Sequence, residues 1–277
     1  MTAAPTAAGL GGTPELDPAP SPGTRLRWAV SDAAAVTGRN LLAYVRVPQL
    51  VVFSTIQPIM FVLIFRYVFG GAIQVPGGSF VDFLMPGIFV QTVAFGAVGT
   101  GVGLAEDLGK GLIERFRSLP MARSSVLAGR TAADLVRNVF VVFLMCVVGF
   151  LVGFRVGTGP IAFLAGILVI LAFGYALSWV FALVGLRAAN AETAQAVAFP
   201  TLFPLVFASS AFVPVESMPG WLQAFAANQP VSVTVDATRA LMLGGPTAGV
   251  VLQALAWTVG ILAVFAPLAV RRYRRAG

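Results

Sequence analysis

The sequence predicts an all-α membrane protein with six transmembrane helices, an N-terminal amphipathic interfacial helix, a short cytoplasmic helix between spans two and three, and short re-entrant helices before span six. Three observations lead to this fold class. The chain has 58% hydrophobic and 10% charged residues, far outside the averages of soluble proteins. Its charges lie in clusters between long uncharged runs. Six of these runs approach or exceed the roughly 20 residues that a helix needs to cross the hydrocarbon of a bilayer.

The six predicted spans begin and end at charged or turn-forming residues. Arg66 ends the first span, and the second lies between Asp82 and Glu106. The third has the shortest uncharged run, centred on residues 139–153 between Arg137 and Arg155, whose side chains we expect to snorkel toward the two membrane surfaces. A soluble core helix could explain any one of these runs, but not all six. The predicted bounds are approximately 48–69, 82–105, 132–154, 160–186, 193–213 and 249–270.

The first residues differ in composition from the rest of the chain. Residues 1–24 are rich in Ala, Pro, Gly and Thr and lack the basic start and apolar middle of a cleaved signal peptide. We expect a disordered cytoplasmic tail there and a transmembrane domain over residues 25–277.

Residues 24–48 interleave apolar side chains with arginines, which predicts an amphipathic helix in the headgroup layer. A soluble helical linker is the alternative.

The arginines fall mainly on one side of the predicted spans. They precede span one, fill the connection between spans two and three, and follow spans four and six, whereas only Arg66, Arg155 and Arg239 lie on the other side. The positive-inside rule therefore places both termini in the cytoplasm. The arginine-rich, lysine-poor composition indicates a bacterial source, hence a multi-pass protein of the bacterial inner membrane. Clustered bases also argue against a nucleic-acid partner.

The connection over residues 106–130 is the longest predicted cytoplasmic loop and carries three acidic and five basic residues. Within it Leu112, Ile113, Phe116 and Leu119 recur at helical spacing, and Pro120 follows. This pattern predicts a short helix with an apolar stripe, which we expect to dock on a cytoplasmic partner. The alternative is a solvated loop whose bases only set the topology.

The segment over residues 214–246 is too polar for a full crossing and too apolar for an ordinary loop. Its prolines divide it into two short helical stretches, Ser217–Ala227 and Val231–Leu243. We expect two half-helices that dip into the outer leaflet, because their backbone groups can be satisfied within each helix and against neighbouring spans. An interfacial loop anchored by Trp221 is the alternative.

The chain lacks the residue patterns of a self-powered transporter or an enzyme. Lys110 is the only lysine and Gly111 follows it, so no phosphate-binding loop ending in Gly-Lys-Ser or Gly-Lys-Thr is present. No acidic residue is expected at mid-membrane to bind a coupling ion, since Asp134 should pair with Arg137 at the cytoplasmic end of span three. With no histidine and with Cys146 as its one cysteine, the chain is expected to bind no metal or cofactor.

Glycines mark one face of the second span. Gly96, Gly99 and Gly103 share that face, and such small residues permit close approach of another helix.

The charged connection resembles a known family. The similarity includes the stretch from Gly129 and Arg130 to Asp134, and it recurs around Pro214, Met218, Pro219 and Trp221, at Asn228, Gln229 and Pro230, and at Arg239, Ala240 and Leu241. In the connection itself it rests on Glu106, Asp107, Gly109, Gly111, Leu112, Glu114, Arg115, Phe116, Ser118, Leu119 and Pro120. In these residues the chain resembles the permeases of type 2 ATP-binding-cassette (ABC) exporters, in particular the daunorubicin-resistance permease group.

The resemblance implies a permease dimer, homodimeric or paired with a sibling permease, capped by cytoplasmic ABC ATPase subunits that bind ATP and Mg. It implies that the short helix before span three is a coupling helix seated in the ATPase, and that this chain is a transport subunit and not an enzyme. The ATPase-coupling residues are then expected to be Gly109, Glu114, Arg115, Phe116, Arg117, Ser118, Leu119 and Pro120.

The expected function is export of a hydrophobic or amphipathic compound, such as a drug, an antibiotic or a lipid-like molecule, by alternating access within membrane lipid. Spans without buried charge offer little to a small ion. A permease for lipid-linked glycans, an ion-coupled secondary carrier and a membrane enzyme or assembly factor remain alternatives. Aromatic side chains of the spans are candidates for a substrate path, although most are expected simply to pack: Phe53, Phe61, Phe89, Phe95, Phe203 and Phe207.

Overall fold

The computed structural model describes residues 22–46, 48–71, 73, 75, 78–111 and 123–275, and within these ranges it contains helices and no strand. The all-α class is confirmed for this part of the chain. A π-helical turn, Phe65–Phe69, extends the helix Pro48–Ile64, and a 3-10 turn, Val215–Ser217, precedes the helix Gly220–Asn228. In chain order the helices are α1 (Pro22–Arg46), α2 (Pro48–Ile64), α3 (Phe80–Gly109), α4 (Arg123–Val152), α5 (Pro160–Gly185), α6 (Ala191–Phe207), α7 (Gly220–Asn228), α8 (Pro230–Leu243) and α9 (Ala248–Arg275).

Four of the described helices are long and apolar enough to cross a membrane: α3, the Val126–Val152 part of α4, α5 and α9. At 1.5 Å per residue, the 26 to 30 residues of these segments reach roughly 40 Å, which exceeds the hydrocarbon thickness. The apolar stretch Thr55–Phe69 of α2 is shorter. Helix α6 has 17 residues and contains two prolines.

The third predicted span differs from the helix that the structure contains. It was expected over residues 132–154, around an uncharged run between Arg137 and Arg155, but α4 begins at Arg123 and has 30 residues. The expectation excluded the polar residues before 132 because they carry charge. In the structure Arg130 points at a carboxylate of α3 and is only 16% exposed, so its charge is compensated inside the bundle and the helix can include it.

The fifth predicted span, 193–213, is also shifted, because α6 ends at Phe207. Two serines form the turn that follows. Ser209 Oγ donates to the Val206 carbonyl and accepts from the Ala211 backbone N–H, and the Ser210 N–H donates to Ser232 Oγ on α8. These bonds satisfy buried backbone groups that a continued helix would otherwise have paired.

Helix α3 lies at the centre of the bundle and packs on α2, α4, α5, α6 and α8, most extensively on α5. Its side chains Leu84, Ile88 and Val93 are fully buried in the main hydrophobic core. The α3 and α5 backbones touch at Gly101 and Gly185, where an added Cβ on either glycine would overlap the other helix.

A second hydrophobic cluster shows how the long helices run. It joins Leu104 of α3, Leu127 of α4, Leu183 of α5 and Tyr273 of α9. Helices α3, α5 and α9 therefore finish at the same end of the bundle, where α4 begins. We call it the basic end, because Lys110, Arg130, Arg187 and the arginines over 271–275 lie there or directly beside it.

The segment before α9 contains two short helices at the positions where the sequence predicted them. Helix α7 is peripheral, with Trp221 77% exposed. Helix α8 instead has its Val231 and Val235 in the main core and packs on α5, α9 and α3. Gln229 caps it by accepting from the Val231 N–H and donating to the Leu205 carbonyl. Helix α8 is thus an internal part of the bundle.

Candidate functional site

Three charged side chains from three helices meet at the basic end. Asp107 Oδ2, near the end of α3, lies 2.7 Å from Arg130 Nη1 on α4 and 3.5 Å from Arg39 Nη2 on α1. The Asp107 and Arg130 side chains are 18% and 16% exposed, whereas Arg39 is 39% exposed. A charge-assisted hydrogen bond in this partly buried setting is stronger than an exposed ion pair. We call Asp107, Arg130 and Arg39 the basic-end triad.

Close packing of α1 on α4 accompanies the triad. A Cβ at Gly129 would lie 2.6 Å from the Ala33 carbonyl oxygen and 2.7 Å from Val36 Cβ, so only glycine permits this approach. Thr37 Oγ1 donates to the Gly129 carbonyl oxygen at 3.0 Å. Helices α1, α3 and α4 are therefore joined where the chain leaves α3 toward residues 112–122 and returns into α4.

A buried ion pair lies deeper in the bundle, between α3 and α4. Asp134 is 2% exposed, accepts a hydrogen bond from Thr100 Oγ1, and has its Oδ1 3.8 Å from Arg137 Nη1. The expected i,i+3 pair is present. Along the helices the pair is central, because Arg137 lies near the midpoint of α4 and donates to the Gly96 carbonyl oxygen at 2.6 Å, near the midpoint of α3.

Next to this ion pair a cleft of about 190 Å³ lies between α2, α3 and α4. Gln91 is 2% exposed, and its amide oxygen has no hydrogen-bond partner in the described part of the chain. Buried polar atoms without partners are uncommon and destabilising. We call this space the polar cleft. Its polar lining consists of Gln57, Gln91, Thr92, Arg137 and Asn138, and its apolar lining includes Pro58, Phe95 and Val141.

The glycine face of α3 has a different use from the expected one. A Cβ at Gly96 would lie 2.8 Å from Asn138 Oδ1, and one at Gly99 would lie 3.0 Å from Arg137 Nη1. A Cβ at Gly103 would overlap the Arg130 guanidinium. This face therefore makes room for polar side chains of α4 rather than for close backbone contact between the two helices.

At the end of the bundle opposite the basic end, one arginine connects three parts of the structure. Arg239 of α8 donates to Asp236 Oδ1 at 2.8 Å and to the backbone carbonyl oxygens of Ser210 at 2.9 Å and Phe83 at 3.1 Å. Its guanidinium carbon also lies 3.8 Å from the centre of the Phe83 ring, within the range of a cation–π interaction. Arg239 thus fixes α8 to α3 and to the turn after α6.

No group of three His, Cys, Asp or Glu side chains within the described ranges is placed to hold a metal ion. The functional features of the described structure are therefore the ion pairs, the polar cleft and the glycine contacts.

Comparison with known proteins identifies the family. Residues 32–243 match the ABC-2 type transporter family. The chain belongs to the ABC-2 type transporter family. It is 37% identical over 258 residues, 92% of this chain and 90% of the relative, to the daunorubicin resistance ABC transporter permease protein DrrB1 of Streptomyces coeruleorubidus.

Two further relatives of the ABC-2 chain are more distant. The probable doxorubicin resistance ABC transporter permease protein DrrC of Mycobacterium tuberculosis is 32% identical over 266 residues, 95% of this chain and 96% of the relative. The putative transport permease ycf38 of Pyropia yezoensis is 25% identical over 221 residues, 76% of this chain and 74% of the relative. The resemblance to the daunorubicin-resistance permease group is confirmed.

The predicted ATPase-coupling residues of this ABC-2 chain fall almost entirely outside the described residues. Gly109 is the last residue of α3 and is exposed. The structure does describe the two helix ends that flank the predicted coupling helix, and the basic-end triad joins them. The residues outside the described ranges are Glu114, Arg115, Phe116, Arg117, Ser118, Leu119 and Pro120.

The predicted substrate-path phenylalanines do not form one surface. Phe89 is fully buried in the core and meets Phe154 edge-on. Phe95 lines the polar cleft. Phe203 is 52% exposed and stacks on Phe207 with ring centres 4.2 Å apart.

The other two phenylalanines of that set lie on α2. Phe61 is half-buried and its ring centre lies 5.9 Å from that of Phe207, so an aromatic contact joins α2 to α6. The side chain of Phe53 is outside the described part of the structure.

Sequence reasoning missed the polar cleft. The spans were judged by charge alone, so the amides of Gln91 and Asn138 were counted as ordinary span residues. Their presence inside apolar runs was a usable signal, because uncharged polar side chains in transmembrane helices face the bundle interior or a partner helix.

Proposed function

We propose that this ABC-2 chain is the membrane-spanning permease subunit of an ATP-driven exporter that moves a hydrophobic or amphipathic drug-like compound out of the cell. A separate cytoplasmic ABC ATPase would bind ATP and Mg and supply the energy. The observation that carries the proposal is the 37% identity, over 92% of the chain, to a protein named for daunorubicin resistance. The doxorubicin-resistance relative, which aligns over 95% of the chain, supports the same class of substrate.

The proposed topology has six spans, α2, α3, α4, α5, α6 and α9, in a bacterial inner membrane with both termini cytoplasmic. The parallel course of α3, α5 and α9, with α4 opposite to them, supports an odd–even alternation of spans. The concentration of arginines at the basic end supports a cytoplasmic position for that end. Because α8 is buried by α3, α5 and α9, it is proposed to be re-entrant rather than a surface loop.

Coupling to the ATPase is proposed to pass through residues 112–122. In this view Phe116 and Leu119 are apolar anchors in a cleft of the ATPase, while Glu114, Arg115 and Arg117 make polar contacts around them. The basic-end triad supports the proposal, because it joins the ends of α3 and α4 into one unit that would move with the coupling helix. A displaced coupling helix could then shift a dimer of permeases, identical or sibling, between inward- and outward-facing states.

Reconstitution tests the proposal. The chain and an ABC ATPase subunit encoded beside it would be placed in liposomes, and ATP-dependent doxorubicin movement would be followed by its fluorescence. The double variant Phe116→Ala with Arg117→Ala should assemble normally yet lose doxorubicin-stimulated ATP hydrolysis and transport. A matched control, Phe143→Ala with Arg155→Ala, changes two side chains that are exposed elsewhere and should retain both.

Two results would contradict the proposal. Movement of doxorubicin by the isolated chain in response to an ion gradient would favour an ion-coupled secondary carrier. Full stimulation of ATP hydrolysis by the Phe116 and Arg117 double variant would remove the proposed coupling contact.

A further inference from the structure

We propose that the polar cleft binds an uncharged, hydroxyl- or carbonyl-bearing ring of the transported molecule, and that the Gln91 amide accepts its hydrogen bond. This inference rests on the export function proposed above and names the part of the permease that would recognise the compound. It places recognition inside one chain, between α2, α3 and α4.

The first argument is the unpartnered amide oxygen of Gln91. Only 2% of this residue is exposed, and its oxygen has no partner among the described atoms. Leaving a buried acceptor unpaired costs about 1–3 kcal/mol, so such an atom needs a physical explanation. Gln91 is one of the residues that line the cleft, and rotation of its terminal amide toward this space would let a ligand hydroxyl supply the missing donor.

The second argument concerns charge. Arg137 lines the polar cleft, but Asp134 lies 3.8 Å from it and the Gly96 carbonyl accepts its hydrogen bond at 2.6 Å. The positive charge is therefore already compensated. A cationic group would compete with the guanidinium for Asp134 and an anionic group would compete with Asp134 for the guanidinium, whereas a neutral hydroxyl or carbonyl does neither.

The third argument is size and shape. The cleft holds about 190 Å³, which can be compared with an engineered apolar cavity of about 150 Å³ that binds benzene. One ring fits, and Pro58, Phe95 and Val141 provide apolar walls for it. A larger compound would place only one ring inside, with the rest extending past Gln57, which is exposed where it lines the cleft.

The fourth argument is position. The polar cleft lies near the middle of α3 and α4, which the proposed topology places across the membrane, and ionisable or polar groups inside transmembrane segments are characteristic of substrate pathways. The same two helices flank residues 112–122 at the basic end. A ring bound between α3 and α4 would therefore contact the helices that the proposed coupling movement displaces.

Photolabelling of the intact permease–ATPase complex in lipid nanodiscs tests the inference. The probe is a benzyl alcohol whose ring carries a trifluoromethyl-diazirine, and the matched apolar probe has a methyl group in place of the hydroxymethyl group. Mass spectrometry of the labelled peptides should place benzyl alcohol adducts on residues that line the cleft. The apolar probe should label lipid-facing residues instead.

Gln91→Met keeps the length of the side chain and removes its hydrogen-bonding atoms. Loss of one neutral hydrogen bond of about 1 kcal/mol corresponds to about a fivefold loss of cleft labelling. Gln253→Met, the same change at an exposed position of α9, should leave labelling unchanged. The thermal stability of the ligand-free complex should not fall in Gln91→Met, because the variant removes an unpaired acceptor. If Gln91→Met assembles poorly, Gln91→Leu provides a second apolar side chain for the same labelling test.

The outcomes separate this inference from the export proposal. Absence of cleft adducts in the unmodified complex, or equal cleft labelling in Gln91→Met, would overturn the inference even if doxorubicin is exported. A stability loss in both Gln91 variants without a change in labelling would assign Gln91 a purely structural role and would also overturn it. Cleft labelling that depends on Gln91 but is not displaced by doxorubicin would support the inference while contradicting doxorubicin as the cargo.

Discussion

The basic-end triad makes a sharp prediction about stability. In Asp107→Asn the side chain keeps its size, but Arg130 loses the carboxylate that lies 2.7 Å away. Because the Arg130 side chain is only 16% exposed, water cannot fully replace that partner. Arg39, 3.5 Å from the same oxygen, loses an attraction as well. We expect the joint between α1, α3 and α4 to loosen.

The size of the effect follows from the burial of the pair. Exposed ion pairs contribute about 0–1 kcal/mol, and breaking a fully buried pair costs about 3–5 kcal/mol. Side chains about five-sixths buried fall between these limits, at about 2 kcal/mol. For a chain of this size such a loss lowers the midpoint of thermal unfolding by about 4–8 °C.

The assay is thermal unfolding of the purified chain in detergent, followed by intrinsic fluorescence. Glu106→Gln is the matched control, since this neighbour pairs with Lys110 at 3.5 Å while the two side chains are 49% and 67% exposed. An exposed i,i+4 pair contributes about 0.2–0.5 kcal/mol, so the control should shift the midpoint by no more than about 2 °C. Equal shifts in the two variants, or a shift below about 2 °C in Asp107→Asn, would refute the reasoning.

Two further predictions concern packing in the bundle. Gly101→Ala should abolish folded, monodisperse protein in size-exclusion chromatography, because its Cβ would lie 2.5 Å from the Phe181 carbonyl oxygen. Gly260→Ala, whose Cβ would have nothing within 4 Å, should fold at least as well as the parent. A normal elution profile for Gly101→Ala would contradict the close contact between α3 and α5. Arg239→Ala leaves the partners of a buried charge unpaired, which costs about 3 kcal/mol of stability and should lower the midpoint of thermal unfolding by about 6 °C or more. A shift no larger than that of Arg187→Ala, a change at an exposed arginine, would contradict the role of Arg239 in holding α8 to α3.

Much of the secondary structure could be predicted because the start and end of most helices depend on neighbouring residues in the sequence. The predicted starts of span four at residue 160 and of span six at residue 249 follow from glycine and proline, and α5 and α9 begin at Pro160 and Ala248. The bounds of α4 and α6 could not be predicted in the same way. Their ends depend on Asp107 and Ser232, which lie elsewhere in the chain.

The candidate site was predictable only in part. The i,i+3 spacing predicted the Asp134–Arg137 pair, because both residues lie on one helix. The same spacing contains no information about Gly96, whose carbonyl oxygen accepts from Arg137 across the helix interface. The pair lies near the middle of α4 because this helix begins at Arg123, before the predicted start of span three at residue 132.

The sequence by itself determined that this chain is an all-α membrane protein of the ABC-2 family. Lipid as a solvent demands long uncharged helical segments, and the family motifs are contiguous residues, so both can be recognised along the chain. Only the tertiary structure decided where the polar side chains are satisfied. Arg130, Arg137 and Arg239 each have at least one hydrogen-bond partner on another helix, and the glycines of α3 leave space for the first two of these arginines. Such partners are set by how helices pack, because a hydrogen bond between two helices depends on their separation and rotation and not on distance along the sequence.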